Sequence, residues 1–527
     1  MISSPLGTRV HPGDGLRRYD LDVPLNLVDM LDSTVSRCAT KRAFIDANSE
    51  VTWVEFAAIV ESTARGIAAH GVLPGDRVAV LAGNGIPLSA AYWAIWRVGA
   101  IAVPLNHRLT AADLAMQLED SSPRLLLVGR GKEELGHTAS QESATSVSFQ
   151  DDDEHFYSSI DGVAFETPPI DEFTPAAIMY TSGTTGRAKG VVVSHGNAVQ
   201  NSVTCTTVVG RRQDDVELIM VPQFNVTGLN SQTIPVVHLA MTGVLLDGFN
   251  ADRVVELTRE LGVTSTVGAP TMWWRILESA GPQGLPTLRL ALYGGAPMPS
   301  ALLDRMFTSL TSASFGNGYG MTETCSMVTY LGGDDALRHS ESVGQPLPVT
   351  ELRILAPTAQ RDVANGEVGE VTVRGPQVAI GYWIDGVATP LVDADGWLRT
   401  GDAARLVDGF VVLADRLKEV IKRGGESIFS IEVEEVLYQH PAILEAAVVG
   451  VPDDVFGEKV LAAIVVKPGV DTDRDDILLF CRKSLASFKV PSYVEFVDEL
   501  PRNAGGKVVK GQLKEKFVQR GKTVSHG

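Results

Sequence analysis

One segment of the 527-residue chain constrains its fold more than any other: the stretch from Ala176 to His195. A short apolar run ends there in Thr181-Ser182-Gly183-Thr184-Thr185-Gly186-Arg187-Ala188-Lys189-Gly190. Glycines let the backbone turn its N–H groups towards an anion, hydroxyls add donors, and Lys189 adds charge. The segment predicts a buried strand leading into a phosphate-binding loop. A Gly/Thr-rich surface turn is the alternative, and the order of these residues favours phosphate binding.

The loop differs from the P-loop of common nucleotide hydrolases. Two residues separate Gly186 from Lys189, and neither serine nor threonine follows the lysine. In the usual P-loop a glycine directly precedes the lysine and a serine or threonine directly follows it. The lysine and this hydroxyl then reach the terminal phosphates and Mg²⁺ together. A different phosphate-binding fold is therefore expected.

Two further glycine-rich loops follow predicted strands. The first is Tyr293-Gly294-Gly295-Ala296-Pro297, and the second is Gly318-Tyr319-Gly320-Met321-Thr322-Glu323. The second combines an aromatic ring that can stack on a base with a carboxylate that can hold Mg²⁺ beside phosphate oxygens. Taken alone, each loop fits a structural strand-to-loop turn equally well.

The pattern of apolar and amphipathic segments along the chain predicts an α/β protein with two domains. From about residue 51 to 320, short apolar runs alternate with longer amphipathic segments, which indicates layered, largely parallel sheets with helices. After Gly344 short strands predominate, with a hairpin signal at Asp408-Gly409, and they predict a β-rich subdomain. The remainder reads helix, strand, strand, helix, strand, helix, a small α+β domain. We expect a large domain at 1–414 and a small domain at 415–527.

Charge and cysteine content exclude several classes of function. Forty-five Lys and Arg against 64 Asp and Glu give a net charge of −19, which disfavours nucleic-acid binding. The four cysteines are far apart and form no C-x-x-C pair, so neither a disulfide framework nor a cysteine zinc site is expected. The first residues form no apolar leader, and no apolar stretch reads as a membrane span. These features favour a cytoplasmic protein.

Three later motifs complete a recognisable set: GWLRTGD at 396–402, DRLKEVIKRGGE at 415–426 and PRNAGGK at 501–507. Together with YTSGTTGRAKG and GYGMTE, in this order, they make the chain resemble the adenylate-forming superfamily. That superfamily contains acyl-CoA synthetases, beetle luciferases and nonribosomal peptide synthetase adenylation domains. The resemblance runs from about residue 51 to 514. It implies a large N-terminal domain, a mobile C-terminal lid, and a reaction in which a carboxylate and ATP give acyl-AMP before a thiol takes the acyl group.

The resemblance also implies where ATP and Mg²⁺ bind. The phosphate loop would hold the β- and γ-phosphates through Thr181, Ser182, Gly183, Thr184, Thr185, Gly186 and Lys189. The adenine would lie against Gly294, Gly295, Ala296, Pro297 and Tyr319. Asp402 would accept the ribose hydroxyls with Arg416 nearby, Thr322 would contact the α-phosphate, and Glu323 would bind Mg²⁺.

The small domain carries the remaining roles that the resemblance implies. Lys507 would bridge the attacking carboxylate and the phosphate in the first step. Lys418 lies where the family has its hinge, so the small domain would turn about it. Lys422 with Gly424 and Gly425 would then face the acyl-adenylate and the pantetheine arm of CoA in the second step.

The expected acid pocket begins at Val221–Gly228 and carries an unusual residue at its centre. Many acyl-CoA synthetases have histidine where this chain has Asn225, and amino-acid-activating relatives have aspartate. A neutral asparagine cannot balance a buried ammonium group, which argues against α-amino acids. Some aryl-acid relatives carry asparagine here, and Gly318 leaves room for a flat ring, so an aromatic or other compact acid is favoured. Predicted pocket residues are Asn225, Val226, Gly228, Trp273, Gly318 and Gly320.

Alternatives remain open at this point. Asn225 instead hydrogen-bonds backbone in one reading, and Trp273 belongs to the core in another. The leading hypothesis is an acid–CoA ligase that uses ATP, Mg²⁺ and CoA as co-substrate. The main alternative is an adenylating enzyme that loads a carrier protein's phosphopantetheine or an amine. A luciferase-like oxygenase remains an alternative, because it would share the fold. A catalytically inactive nucleotide-binding or scaffold protein is disfavoured, because it would be expected to have lost motif residues that are all present here. The sequence identifies neither the acid nor the acceptor. It also leaves the oligomeric state open, and a homodimer is one of the alternatives.

Overall fold

The computed structural model describes residues 8–10, 15–19, 23–140, 145–149, 165–181, 188–296, 298–356, 361–502 and 508–524. Within them, two large sheets and a smaller one form the N-terminal part, and a separate sheet forms the C-terminal part. A short hairpin of β1 (Thr8–Val10) and β2 (Arg17–Tyr19) precedes them. Among the described residues, no helix combines the length and apolar character needed to cross a bilayer.

The first sheet carries the predicted phosphate loop. Its spatial order is β21-β20-β10-β9-β6-β5-β7-β8. The strands are β5 (Arg77–Leu81), β6 (Ile101–Pro104), β7 (Leu125–Val128), β8 (Thr145–Ser148), β9 (Pro175–Thr181), β10 (Lys189–Ser194), β20 (Gly381–Ile384) and β21 (Val387–Thr389). Strands β5 to β9 pair in parallel, while β10, β20 and β21 add antiparallel pairs.

The second sheet carries the other two glycine-rich loops. Its order is β17-β16-β15-β14-β13-β11-β12-β3-β4, with a parallel centre and antiparallel pairs towards both edges. The strands are β3 (Arg42–Ile45), β4 (Glu50–Thr52), β11 (Val216–Ile219), β12 (Thr242–Leu245), β13 (Ser265–Gly268), β14 (Leu290–Gly294), β15 (Ser314–Met321), β16 (Ser326–Gly332) and β17 (Gln345–Pro346). The predicted layered, largely parallel α/β fold is confirmed, with antiparallel strands added at the edges.

Helices cover both sheets. Their bounds are α1 (Leu27–Cys38), α2 (Trp53–Ala69), α3 (Ile86–Arg97), α4 (Ala111–Ser121), α5 (Glu133–Ser140), α6 (His195–Thr207), α7 (Ile234–Leu239), α8 (Ala251–Leu261), α9 (Pro270–Ala280), α10 (Ser300–Ser309) and α11 (Asp335–Arg338). Helix α3 is apolar on all sides and buried, as expected of a helix inside a core. The Trp96 indole donates to the Ala176 carbonyl of β9, and Tyr92 donates to the Gln223 carbonyl that follows β11, so α3 joins the two sheets.

The β-rich subdomain forms where the sequence indicated it. Its sheet has the order β18-β19-β22-β23, made of β18 (Glu351–Leu355), β19 (Gly369–Arg374), β22 (Leu398–Val407) and β23 (Phe410–Arg416). The Asp408-Gly409 hairpin is confirmed, and both residues have positive φ, 52° and 85°. Strand β23 continues through Arg416, which pairs with Asp402, so the boundary expected after residue 414 falls inside a strand. We place the division after Arg416.

The small domain is an α+β unit around one five-stranded sheet. It contains β24 (Ile421–Arg423), β25 (Glu426–Ile428), α12 (Ser430–Tyr438), β26 (Ile443–Asp453), β27 (Gly457–Val466), α13 (Arg474–Ser484), β28 (Tyr493–Phe496) and α14 (Lys510–Val524). The hairpin β24–β25 at its start was not predicted. Gly424 and Gly425 make its turn with φ of 59° and 90°, a conformation that favours glycine.

Candidate active site

A tyrosine, an aspartate and an arginine meet where the second and third sheets adjoin. The Tyr319 hydroxyl donates to Asp402 Oδ2 at 2.7 Å, and Arg416 Nε lies 3.2 Å from Asp402 Oδ1. Antiparallel pairing of β22 with β23 sets Asp402 opposite Arg416, although 13 intervening residues separate them in sequence. Burial raises the pKa of Tyr319 well above its usual value, and Asp402 raises it further, so the hydroxyl stays protonated and donates.

This group fits the ribose end of a nucleotide. A carboxylate offers about four lone-pair positions and can accept several donors at once, as the paired hydroxyls of a ribose require. Asp402 is 7% exposed, so it is shielded from bulk water but reachable. The fold therefore brings together the three residues predicted to bind the nucleoside, Asp402, Arg416 and Tyr319.

A second group forms around a tyrosine that sequence reasoning missed. The Tyr382 hydroxyl donates to Glu323 Oε1 at 3.0 Å, and Lys189 Nζ lies 5.1 Å from the centre of the Tyr382 ring. Burial raises the pKa of Tyr382, and the Glu323 carboxylate raises it further. Pairing of β20 with β10 sets Tyr382 opposite Val191 and so beside the phosphate-loop strand. The only sequence signal was the Gly381-Tyr382 pair in a short apolar run.

The donor set around Glu323 suits Mg²⁺ in one particular way. Among the described residues no three His, Cys, Asp or Glu side chains lie close enough to hold a metal ion by themselves. Mg²⁺ is commonly held by one or two carboxylates together with substrate phosphates and water. Glu323 fits that arrangement, since it is held by the hydroxyl of Tyr382, the tyrosine whose ring lies beside Lys189.

The ends of the phosphate loop are fixed by the first sheet. Thr181 pairs with Lys189 in the antiparallel ladder of β9 and β10, so the loop between them starts and finishes at adjacent positions. Ser182, Gly183, Thr184, Thr185 and Gly186 lie outside the described residues, as do Pro297 and Lys507. Their roles remain predictions.

Three glycines shape the loops at the carboxyl ends of β14 and β15. Gly294 pairs with Gly318, and a Cβ on Gly294 would lie 2.6 Å from the Gly318 carbonyl oxygen. A Cβ on Gly320 would lie 1.5 Å from the Ser326 carbonyl oxygen, at a bulge between β15 and β16. Gly295 and Ala296 follow as an exposed turn. Gly294 and Gly320 are thus required by backbone packing, whatever else they contact.

The room predicted beside Gly318 is already filled. A Cβ on Gly318 would lie 2.6 Å from Met327 Sδ, so the thioether of β16 covers this glycine. A ring could lie there only if Met327 moved, which its three rotatable bonds permit. The prediction of open space at Gly318 is corrected to space controlled by Met327.

The segment that carries Asn225 is held in place by the partly buried amide of Asn84. Asn84 donates to the carbonyls of Val221 and Leu246 and accepts from the Gln223 N–H at 2.8 Å. The Asn225 backbone bonds to Pro222 and Leu229. Its half-buried side-chain amide makes no hydrogen bond to any described residue. Among these residues, the alternative that the amide serves the backbone has no support.

A π-helix at Thr227–Thr233 follows Asn225 and packs against the loop that carries Glu323. The Asn230 amide donates to Cys325 Sγ at 2.9 Å, and the Ser231 and Ser326 hydroxyls bond to each other. A Cβ on Gly228 would lie 2.2 Å from the Pro222 carbonyl oxygen, so this glycine is needed for close packing. Such π-turns occur frequently at functional sites. Val226 is buried in the core beside it.

The prediction that Trp273 lines the pocket is corrected by its burial. Its side chain is 0% exposed and packs in the core under α9. Its indole N–H donates to the Leu292 carbonyl at 2.9 Å, so its polar atom is satisfied internally. A residue without accessible surface cannot form a pocket wall in this arrangement.

Two of the small-domain lysines with predicted roles, Lys418 and Lys422, lie in the described residues. Lys422 Nζ donates to Ser427 Oγ at 2.7 Å across the β24–β25 hairpin, and the Gly424 N–H donates to the Phe456 carbonyl. Lys418 lies in the turn after β23. Burial lowers its pKa, the neighbouring Arg416 and Lys189 charges lower it further, and Asp402 opposes this. The predicted hinge residue Lys418 thus lies close to Asp402 and Arg416.

Comparisons with known proteins show the family to which this fold belongs. The family model described as AMP-binding enzyme matches residues 31–383, and the model of the AMP-binding enzyme C-terminal domain matches residues 432–507. A feruloyl-CoA synthase from an Amycolatopsis species is 35% identical over 89% of this chain and 94% of its own length. A 2-succinylbenzoate–CoA ligase from Bacillus cereus is 35% identical over 90% of this chain and 95% of its own length.

A solved structure extends the comparison to bound ligands. The o-succinylbenzoate CoA synthetase from Bacillus subtilis, in complex with its acyl-adenylate intermediate, has a TM-score of 0.83 and 31% identity. It covers 92% of this chain and 97% of its own. The same synthetase has also been solved in complex with ATP and a magnesium ion. The fold described above is therefore one that accommodates these ligands.

Proposed function

The chain belongs to the family of AMP-binding enzymes, and from this premise we propose that it is an AMP-forming acid–CoA ligase. It uses ATP and Mg²⁺ to convert a carboxylic acid into acyl-AMP with release of pyrophosphate, and then transfers the acyl group to the thiol of CoA. The observation that carries the proposal is the convergence of two groups, Tyr319–Asp402–Arg416 and Lys189–Tyr382–Glu323, on the glycine loops of two sheets.

The chemistry explains why these residue types are needed. A carboxylate is a poor acyl donor because oxide is a poor leaving group, and AMP is a far better one. Attack on the α-phosphate requires charge neutralisation and in-line positioning rather than a nucleophile from the protein. Lys189 and the phosphate loop would neutralise the phosphates, Glu323 would hold Mg²⁺, and Thr322 would contact the α-phosphate.

The remaining roles position the reactants. Asp402 would accept the ribose hydroxyls while Arg416 and Tyr319 fix its carboxylate, which orients the nucleotide. Lys507 would join the attacking carboxylate to the phosphate, since a flexible charged side chain suits a contact made only when the lid closes. After the small domain turns, Lys422 and the Gly424–Gly425 turn would guide the pantetheine arm.

The acid that we propose is compact, aromatic or of similar size. Below Gly294 and Gly318, the same face of the sheet is filled by Leu292, Met327 and Tyr330, which pack with Cys205 of α6. This packing favours a short pocket over a long acyl channel. The Asn225 amide, which bonds to no described residue, offers a hydrogen bond to a polar group on the acid and disfavours an ammonium group.

Free CoA is the acceptor that we propose, and the cytoplasm is the compartment, since the four cysteines are free thiols and both nucleotide substrates are available there. A phosphopantetheine on a carrier protein offers the same thiol chemistry and is the alternative acceptor.

The test is ATP–pyrophosphate exchange across a panel of aromatic, short aliphatic and long aliphatic acids, followed by turnover with free CoA. We expect exchange with compact aromatic acids in the presence of Mg²⁺, and thioester formation with CoA alone. Exchange only with long acyl chains would contradict the proposed pocket. Exchange without any CoA thioester would assign the acceptor to a carrier protein or an amine.

A further inference from the structure

A cluster of buried charged and polar side chains lies where the large and small domains meet, next to Lys418. Asp415 is 3% exposed, Ser430 is 0% exposed and Glu434 is 9% exposed. Lys510 completes the cluster at the start of α14. We refer to Asp415, Ser430, Glu434 and Lys510 as the boundary cluster. None of them belongs to the two groups that surround the nucleotide.

The first contact in the boundary cluster joins the two domains. The Ser430 backbone N–H donates to Asp415 Oδ2, and the Arg416 N–H donates to Asp415 Oδ1 at 2.7 Å. Helix α12 begins at Ser430 and receives no cap from the side chain of Phe429 before it. The Asp415 carboxylate therefore caps α12 from outside, and an anion is favourable at a helix N-terminus.

The second set of contacts centres on Lys510. Its Nζ donates to Ser430 Oγ at 2.6 Å, lies 2.8 Å from Glu434 Oε1, and lies 3.8 Å from Glu419 Oε2. Glu434 also accepts from the Val448 N–H at 2.8 Å. Burial by itself would lower the pKa of Lys510, but the carboxylates of Glu434, Asp415 and Glu419 raise it above its usual value. The lysine is therefore charged and held inside.

Each partner in these contacts belongs to a different functional part. Ser430 lies two residues after the hairpin whose turn is Gly424–Gly425, and Lys510 lies three residues after Lys507. Glu419 adjoins Lys418. Asp415 pairs with Ala403 in the sheet of the large domain. The boundary cluster thus joins residues close in sequence to Lys422, Lys507 and the hinge, and Asp415 connects them to the large domain.

A turn of the small domain about Lys418 would separate these parts. Asp415 is held in the ladder of β22 and β23, whereas Ser430 and Lys510 belong to helices that move with the small domain. The hydrogen bond from the Ser430 N–H to Asp415 can therefore exist in one orientation and not in the other, and Lys510 supports it through the Ser430 hydroxyl. Its loss would leave the first turn of α12 without a cap and would take the Asp415 charge away from Lys510.

We propose that Asp415 and Lys510 are positioning residues that latch the small domain in the orientation seen here and so set the balance between the two half-reactions. The inference rests on the proposed two-step function. Neither residue contacts the reacting atoms, and both act through the orientation of the loops that carry Lys507 and Lys422.

The test measures the two half-reactions separately in the full-length chain: ATP–pyrophosphate exchange, and acyl transfer to CoA from supplied acyl-AMP. For Asp415→Ala and Lys510→Met we expect the ratio of the two rates to change at least tenfold relative to wild type. Lys510→Arg should restore the ratio, because it keeps the charge. Lys489→Met is the matched control. It removes a 2.6 Å ion pair to Glu432, which lies on α12 as Ser430 and Glu434 do, but it touches no residue of the boundary cluster. Its ratio should stay unchanged.

Equal slowing of both half-reactions by Asp415→Ala and Lys510→Met would show a purely structural role and overturn the latch, as would an unchanged ratio. A second measurement is independent of activity. Spin labels at Ser309→Cys and Lys483→Cys, in a Cys38→Ser background, report the distance between the domains. Asp415→Ala should broaden or shift that distribution, and an unaltered distribution would refute the latch. Absence of both half-reactions in the wild type would refute the proposed function instead, and the distance would still decide the latch.

Discussion

At the scale of single residues, Tyr382 links parts of the site that are remote in sequence. Its hydroxyl bonds to Glu323, 59 positions earlier, and its ring faces Lys189. A hydrogen bond to a charged group contributes about 1.5–3 kcal/mol. The orientation of the carboxylate proposed for Mg²⁺ therefore depends on a residue outside every motif.

We expect Tyr382→Phe to lower kcat/KM for Mg²⁺·ATP by roughly 10- to 100-fold, since the lost hydrogen bond frees Glu323. Glu323→Gln should be more severe, because it removes the charge. Steady-state kinetics over a Mg²⁺ titration measures both variants. Tyr438→Phe is the control, as it removes a tyrosine hydrogen bond to the Ala446 carbonyl in the small domain. Wild-type Mg²⁺ dependence in Glu323→Gln would remove Glu323 from the metal role.

Asn225 is the residue that we expect to influence which acid is accepted. Asn225→Ala should change the ranking of accepted acids while leaving the KM for ATP nearly constant, because its amide has no partner among the described residues and we propose that it bonds the acid. Loss of one such hydrogen bond costs about 1 kcal/mol, and more if a polar group is left unpaired. Pyrophosphate exchange with the same acid panel measures it. An unaltered ranking would show that Asn225 does not line the acid pocket.

At the scale of elements, a buried ion pair supports the π-helix. Arg211 and Glu217 have side chains 1% and 0% exposed and lie 3.1 Å apart. The Gln232 amide donates to Glu217 Oε1 at 2.8 Å, and Arg211 also donates to the Ser231 carbonyl. The pair thus holds the π-helix against β11, and it sets the position of Ser231 beside Ser326.

We expect Arg211→Met to reduce the free energy of unfolding by about 3–5 kcal/mol, because it leaves the Glu217 charge buried without its partner. The double variant Arg211→Met/Glu217→Gln should recover much of that loss, since no unpaired charge remains. Urea unfolding of both variants measures this. Equal stability of the single variant and wild type would contradict the role of this ion pair in holding the π-helix.

At the scale of the whole molecule, the small domain contains two lysines, Lys422 and Lys507, that lie far apart in its sequence. One rigid unit turning about Lys418 would bring first Lys507 and then Lys422 to the same site. A positioned charge in a transition state is worth a few kcal/mol, about 100-fold or more in rate. The two lysines should therefore serve different half-reactions.

Lys507→Ala should lose most adenylation and still transfer acyl groups from supplied acyl-AMP. Lys422→Ala should show the opposite bias, and a weaker one, because the Gly424–Gly425 backbone also guides the pantetheine. Single-turnover assays of each half-reaction measure both. If each variant slows both half-reactions by the same factor, the small domain is a cover and the alternation of loops is wrong.

The fold class and the family followed from the sequence, because their signals are local. A loop that binds phosphate must bring glycines, hydroxyls and a lysine together within a few residues, and the Asp408-Gly409 hairpin needs two adjacent residues of positive φ. The activity class, an acid–CoA ligase, was likewise inferred from the order of such motifs and agrees with the relatives.

Only the tertiary structure decided what fills the space between these loops. Met327 covers Gly318, Trp273 lies in the core, and Tyr382 reaches Glu323 through the pairing of β10 with β20. The continuation of β23 through Arg416, which leaves Asp415 in the large domain as the cap of α12, also depends on strand pairing. Contacts of this kind depend on side-chain volume and on register between distant strands, and neither leaves a periodic or local trace in the sequence.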